Sequence, residues 1–171
     1  MVQIRERDLT GRDIYRLTRA VSDRLRGKDA LITVNDRADI AACTGAGVHL
    51  TTRSLSAEVV RREFGPEILI GVSTHSQAEA EAAEQSGADF IVFGPVFETA
   101  SKADYGDPVG VDALRAVSMG LSIPVIALGG INLSNFREAL NAGAAGVAGI
   151  SMFVDAYVEQ NLGELISTMK A

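Results

Sequence analysis

Histidine is scarce in this chain, and its two copies stand in different surroundings. His75 follows a short β-branched run in Gly71-Val72-Ser73-Thr74-His75-Ser76. An imidazole there can move protons near neutral pH, or it can do no more than cap the helix that begins after it. His49 lies between Val48 and Leu50 inside an apolar run, the setting of a hydrogen-bonded core histidine. Other polar residues also stand directly after apolar runs: Gln3, Arg5 and Arg7; Asn35, Asp36 and Arg37; Ser73; and Glu98 with Lys102. Lys102 sits in a long polar loop from Glu98 to Asp107, where it either closes over an anion as part of a lid or stays solvated. Asp36 could hold a hard cation such as Mg2+, which prefers oxygen ligands, or cap the next helix. Cys43 and the histidines have no zinc-like spacing.

The clearest chemical signal is glycine. Ala127-Leu128-Gly129-Gly130-Ile131 ends one apolar run, and Ala148-Gly149-Ile150-Ser151 ends the next. Glycine-rich ends of two adjacent strands can aim backbone N–H groups at a phosphate. The plainer reading is that these glycines only make tight turns. Gly129, Gly130, Gly149, Ile150 and Ser151 are the candidate phosphate-binding residues.

Such residues need a scaffold that brings strand ends together. The apolar runs are Val2–Ile4, Leu31–Val34, Gly47–Leu50, Ile68–Val72, Phe90–Phe93, Pro124–Ala127 and Ala145–Ile150. Most lack polar alternation, as expected of parallel strands covered on both faces. Amphipathic segments fall between them: Ile14, Leu17, Val21 and Leu25 recur at helical spacing, and Ser76-Gln77-Ala78-Glu79 has the form of a capping box opening a helix over Gln77–Gln85. Strand then helix, repeated, predicts an α/β fold of the TIM (β/α)8-barrel type. Seven strands and seven helices are expected, as though the first strand and helix were absent. A gene start placed too late accounts for that most simply; otherwise a rearrangement closes the gap or a second copy covers it, as a homodimer would.

The 171 residues suffice for one domain, and at 47% apolar composition a packed core is expected. The net charge of −6 argues against a broad electrostatic grip on nucleic acid or anionic lipid. No apolar run approaches the ~20 residues that span a bilayer, and the first residues are polar and charged, so a cytoplasmic protein with neither membrane span nor signal peptide is expected. The single cysteine excludes an intrachain disulfide and reads as a buried structural thiol in a reducing compartment.

In order, Val2-Gln3-Ile4-Arg5-Glu6-Arg7, Asn35-Asp36-Arg37-Ala38-Asp39, Gly47-Val48-His49-Leu50, Gly71-Val72-Ser73-Thr74-His75-Ser76, Phe93-Gly94-Pro95-Val96-Phe97-Glu98-Thr99 with Lys102, Ile126-Ala127-Leu128-Gly129-Gly130-Ile131 and Gly149-Ile150-Ser151 resemble the motifs of the thiamine-phosphate synthase and TenI superfamily. The resemblance implies one of two activities. A synthase joins a pyrimidine pyrophosphate to a thiazole phosphate, with Mg2+ helping pyrophosphate to leave. A TenI protein is a thiazole tautomerase, which shifts a proton to make a carboxythiazole phosphate aromatic and needs no cofactor.

Two departures from the synthase pattern favour the second. Arg7 stands where the synthase usually has lysine, and Thr51-Thr52-Arg53-Ser54 replaces a Gly-Gln-x-Asp stretch whose carboxylate helps hold Mg2+. A thiazole tautomerase closer to TenI is therefore expected, with His75 as its proton carrier. Gln3, Arg5, Arg7, Asn35, Ser73 and Lys102 are its expected substrate contacts. Asp36 would be a metal ligand only in a synthase, and a non-catalytic phosphate-binding paralogue is a further alternative. The implied partner is a small phosphorylated thiazole.

Overall fold

A computed structural model describes residues 1–99, 107–153 and 162–163. Seven parallel strands alternate with six α-helices: β1 (Val2–Ile4), α1 (Gly11–Leu25), β2 (Ile32–Asn35), α2 (Ala38–Thr44), β3 (Gly47–Leu50), α3 (Ala57–Phe64), β4 (Ile70–Thr74), α4 (Gln77–Gln85), β5 (Phe90–Phe93), α5 (Gly110–Gly120), β6 (Val125–Leu128), α6 (Phe136–Asn141) and β7 (Gly146–Ala148). Strand order follows the chain. This is the expected α/β architecture. The helix count differs: six are seen among the described residues, and a 3-10 turn, Ser151–Phe153, follows β7. The seventh expected helix would fall after it, on residues that lie almost wholly outside the described ones.

Three strands lie one or two residues further along than their apolar runs, and a fourth is shorter than its run. β2 extends to Asn35, β4 to Thr74 and β6 to Leu128, while β7 is only Gly146–Ala148. The ladder is made by backbone groups, so a polar side chain can end a strand as well as an apolar one can. Asn35 and Ser73 are thereby held inside strands rather than in loops.

The chain forms two compact units, residues 1–73 with 82–90, and residues 74–81 with 91–171. The first contains β1 to β4, apart from Thr74. Its register is Gln3↔Thr33↔Gly47 and Asn35↔His49↔Gly71, so each of these sets shares one row across the sheet. Val34, Val48, Val60 and Ile70 form its buried centre. Thr10 caps α1 by accepting from the Asp13 backbone N–H at 3.3 Å, and Ser56 caps α3 by accepting from Val59 at the same distance.

Arg61 at the end of α3 ties the lower edge of this unit. Its guanidinium donates to the carbonyls of Pro66 (2.7 Å), Ile68 (2.6 Å) and Gly87 (2.9 Å) and to Asp89 Oδ2 (2.9 Å). Asp89 Oδ2 also accepts from the Ile70 N–H at 2.6 Å, which fixes the start of β4.

The second unit pairs β6 with β5 (Ile91↔Val125 to Phe93↔Ala127) and with β7 (Ile126↔Gly146 to Leu128↔Ala148). Ile91, Phe93, Leu114, Val117 and Phe136 are its buried centre. Ser76 accepts from Glu79 N at 3.2 Å, as a capping box requires, but the Glu79 carboxylate accepts from the His75 N–H at 2.7 Å, one residue before the expected partner. No helix among the described residues is long and apolar enough to cross a membrane. Cys43 is exposed on α2, which corrects the expectation of a buried thiol: its position faces away from the small-residue side of Ala38 and Ala41, both buried.

Candidate functional site

The first unit carries most of the polar candidates. Gln3 ends up exposed on β1, and Arg5 and Arg7 are exposed just beyond it. Asn35 is half-buried at the end of β2, directly beside His49. Asp36 follows in the left-handed region, φ 61°, with its N–H donated to the His49 carbonyl at 2.9 Å. Aspartate tolerates that conformation better than most residues. It does not cap α2, whose N-cap position is Arg37 with no side-chain cap bond. Arg37 instead clasps Asp39 through Nε at 2.8 Å and Nη2 at 2.6 Å. Those hydrogen bonds hold the Asp39 carboxyl below its usual value, and the pairing raises Arg37 in turn. Asp39 is thus committed to Arg37, and Asp36 stands exposed at this strand end.

His49 is buried on β3, as a core histidine should be, and its Nε2 lies 2.7 Å from Ser73 Oγ at the end of β4. The sequence alone did not connect this histidine with Ser73. Only the strand register could have done so. Ser54 is occupied locally: its hydroxyl accepts from the Thr51 N–H at 2.8 Å and lies 3.1 Å from Thr51 Oγ1.

Among the described residues, no group of three or more His, Cys, Asp and Glu side chains comes together to hold a metal. The exposed carboxylate of Asp36, just past the end of β2, still fits Mg2+ of the kind that takes one protein carboxylate, keeps its waters and draws the remaining oxygens from substrate phosphates.

The second unit carries the glycines. Leu128 and Ala148 are paired residues of β6 and β7, so Gly129-Gly130 and Gly149-Ile150-Ser151 leave adjacent strands side by side. Gly129 (φ 99°) and Gly130 (φ 65°) both occupy backbone regions that other residues resist. Their carbonyls are turned into the protein. Gly129 O accepts from Phe97 N at 3.0 Å, and Gly130 O accepts from Asn135 Nδ2 at 2.9 Å and Asn132 Nδ2 at 3.3 Å. A trans peptide points its N–H opposite to its C=O, so the N–H groups of Gly130 and Ile131 face the other way. Asn132 and Asn135 were not among the sequence candidates; Asn132-Leu133-Ser134-Asn135 after a Gly-Gly pair is the turn signal that could have found them. Ile150 exposes 71% of its surface, so at this position only its backbone is suited to hold a ligand.

His75 is half-buried at the start of α4, and its Nδ1 donates to the Gly94 carbonyl. In the neutral ring that bond makes Nε2 the basic nitrogen. Gly94 begins a stretch bound on three sides. Gly94 N donates to Thr74 O (3.2 Å), Val96 N to Leu128 O (2.9 Å) and Phe97 N to Gly129 O, while Pro95 O and Val96 O accept from Val109 N (2.8 Å) and Gly110 N (3.2 Å). Lys102 lies outside the described residues.

Comparison with known proteins bears on the choice between the two activities. The family model described as "Thiamine monophosphate synthase" (TMP-TENI) matches residues 1–153. A Geobacter sulfurreducens relative is 51% identical over 154 residues, covering 90% of this chain and 72% of its own. The thiamine-phosphate synthase of Chlorobium phaeovibrioides is 47% identical over 152 residues, 88% of this chain and 73% of its own. The structure of thiamine phosphate pyrophosphorylase from Pyrococcus furiosus superposes with a TM-score of 0.89 at 35% identity, over 98% of this chain and 81% of that one. That match gives the fold class as the TIM-type barrel lacking one unit.

These findings overturn the expectation of a thiazole tautomerase closer to TenI. Relatives at 47% and 41% identity are named thiamine-phosphate synthase, and they outweigh the two substitutions, Arg7 and Ser54, on which that expectation rests. A synthase can lose a second carboxylate where the substrate itself brings phosphate oxygens to the metal. From residue 1 to residue 153, the chain belongs to the thiamine monophosphate synthase (TMP-TENI) family.

Proposed function

We propose that this protein is a thiamine-phosphate synthase, a transferase that joins a pyrimidine pyrophosphate to a thiazole phosphate and releases pyrophosphate. The observation that carries the reading is the likeness, at 47% identity over 73% of its length, to a relative named for that activity.

In this reading the thiazole phosphate rests on backbone N–H groups around Gly129, Gly130, Gly149, Ile150 and Ser151. The inward-turned carbonyls of Gly129 and Gly130 leave the N–H dipoles of Gly130 and Ile131 to meet an anion, and glycine lets the backbone approach closely. Gln3, Asn35 and Ser73 offer the uncharged polar groups that a pyrimidine edge requires. Arg5, Arg7 and Lys102 carry the positive charge that suits a pyrophosphate.

The reaction forms a carbon–nitrogen bond to the thiazole ring nitrogen and breaks the carbon–oxygen bond to pyrophosphate. That nitrogen has no proton to lose, so the bond-forming step requires no general base. His75 is then best used as a positioning group that grips the Gly94 carbonyl and steadies the 94–98 stretch beside Gly129 and Gly130. Departure of pyrophosphate accumulates negative charge, and stabilising that charge is the main catalytic demand. Asp36 would hold Mg2+, which supplies charge neutralisation on the leaving group when bound.

The test is direct. The chain is incubated with both substrates, with and without Mg2+, and thiamine phosphate and released pyrophosphate are measured. Equal amounts of both, dependent on Mg2+, are expected. No thiamine phosphate from a folded sample given both substrates refutes the reading.

A further inference from the structure

His49 is a buried imidazole in the middle of a sheet, a costly place for a polar ring unless it is bonded. The neighbouring residues explain how it is held. Across the β3–β4 pair it faces Gly71, which has no side chain to fill the row. The ring of Phe90 takes that space: a Cβ on residue 71 would lie 2.7 Å from Phe90 Cε1 and closer still to Cζ. Phe90 and His49 pack with ring centroids 6.4 Å apart and planes tilted by 58°. Confined on that side, the imidazole reaches diagonally to Ser73, which shares its face two residues beyond Gly71, and Nε2 meets Oγ at 2.7 Å.

We infer that His49 is a positioning residue whose buried imidazole, wedged by Phe90 over Gly71, fixes the direction of the Ser73 hydroxyl for a substrate's polar edge. This rests on the synthase reading, in which Ser73 meets the pyrimidine. A serine hydroxyl has one proton and two lone pairs, and it rotates freely unless one of them is engaged. With Nε2 taking or giving a proton in one direction, the remaining valences of Ser73 point to fixed places at the end of β4. A hydroxyl already oriented in the free protein loses less freedom when ligand arrives.

The test compares His49→Leu, His49→Gln, Ser73→Ala and the paired variants in the full chain. Ser73→Ala and His49→Leu each raise KM for the pyrimidine pyrophosphate by about fivefold, the worth of one neutral hydrogen bond, and leave kcat nearly unchanged. His49→Gln, which keeps a polar atom near the Nε2 position, recovers most of that loss. In the Ser73→Ala background neither His49 substitution adds to it. A second readout needs no turnover: Ser73→Ala shifts the 15N resonances of the His49 ring.

A folded His49→Leu with wild-type KM overturns the inference, as does a His49 effect that multiplies with that of Ser73→Ala. If His49→Leu does not fold, His49→Gln/Ser73→Ala against Ser73→Ala decides on the same criterion. A wild-type chain that makes no thiamine phosphate refutes the synthase reading instead. In that case unshifted His49 ring resonances in Ser73→Ala still refute the inference. Calorimetric binding of the pyrimidine pyrophosphate, weakened alike in the His49→Leu and Ser73→Ala variants, supports it.

Discussion

Replacing Gly130 with alanine strikes the proposed phosphate contact without adding charge or polarity. At φ 65° any L side chain is strained, by roughly 1–2 kcal/mol. The new methyl would also lie 2.7 Å from Phe97 Cβ and Phe97 O, and nearer still to the Glu98 carbonyl. Two of these three neighbours are backbone oxygens, so no side-chain rotation relieves the crowding. Overpacking of this kind costs about 1–3 kcal/mol. The sum is about 2–5 kcal/mol, and for a chain of this size about 5–15 °C in Tm.

Relief must come from movement of either residues 97–98 or the Gly130 peptide. Both shift the N–H groups that would meet phosphate. Loss of one hydrogen bond to a charged group raises KM for the thiazole phosphate about tenfold or more. Gly120→Ala is the matched control: it ends α5 with nothing within 4 Å of the added carbon. It is expected to leave KM unchanged and Tm equal or slightly higher. The assay is steady-state kinetics in both substrates beside thermal denaturation. A Gly130→Ala protein with wild-type Tm and wild-type KM refutes both the packing argument and the phosphate assignment.

Three further outcomes are expected. Arg61→Met removes four hydrogen bonds from a partly exposed guanidinium and destabilises the chain by about 2–4 kcal/mol in urea titration, and Arg61→Lys restores less than half because an ammonium cannot span the same acceptors; full restoration by lysine contradicts this. Ser54→Asp places a second carboxylate after β3, the strand paired with the one that ends just before Asp36, and lowers the Mg2+ concentration for half-maximal synthesis about tenfold, read from an Mg2+ titration of the rate; an unchanged half-saturation contradicts it. The depressed Asp39 carboxyl gives stability that is present above the ordinary aspartate pKa and lost as pH falls through the lower folded value. Because both partners are largely solvated, Arg37→Gln costs less than about 1 kcal/mol at pH 7 and nothing in strong acid, measured by denaturation at the two pH values.

The parallel α/β plan was readable because buried strands here are short apolar runs, and Gly47–Leu50 and Phe90–Phe93 match β3 and β5 end to end. Strand ends were less readable: Asn35 and Thr74 belong to the ladder although their side chains are polar. The glycine pairs announced themselves by composition, and register then set them on neighbouring strands. His49 with Ser73 could not be read, since a bond across 24 residues depends on pairing that no local pattern encodes. The choice of reaction was misread for a related reason. Single substitutions such as Ser54 were weighed as absent metal ligands, while a substrate that carries its own phosphate oxygens can make up the coordination.

The stretch from Gly94 to Phe97 has a consequence for anyone wishing to rebuild this enzyme. It is stitched to Thr74, to Leu128 and Gly129, and to the entry of α5, with the His75 ring on its first carbonyl. Such a segment is not an exchangeable module. Transplanting the loop of another protein after β5 would require importing its counterparts of residues 74–75, 109–110 and 128–130 as a set, and variation in any one of these places is constrained by the other two and by the loop itself.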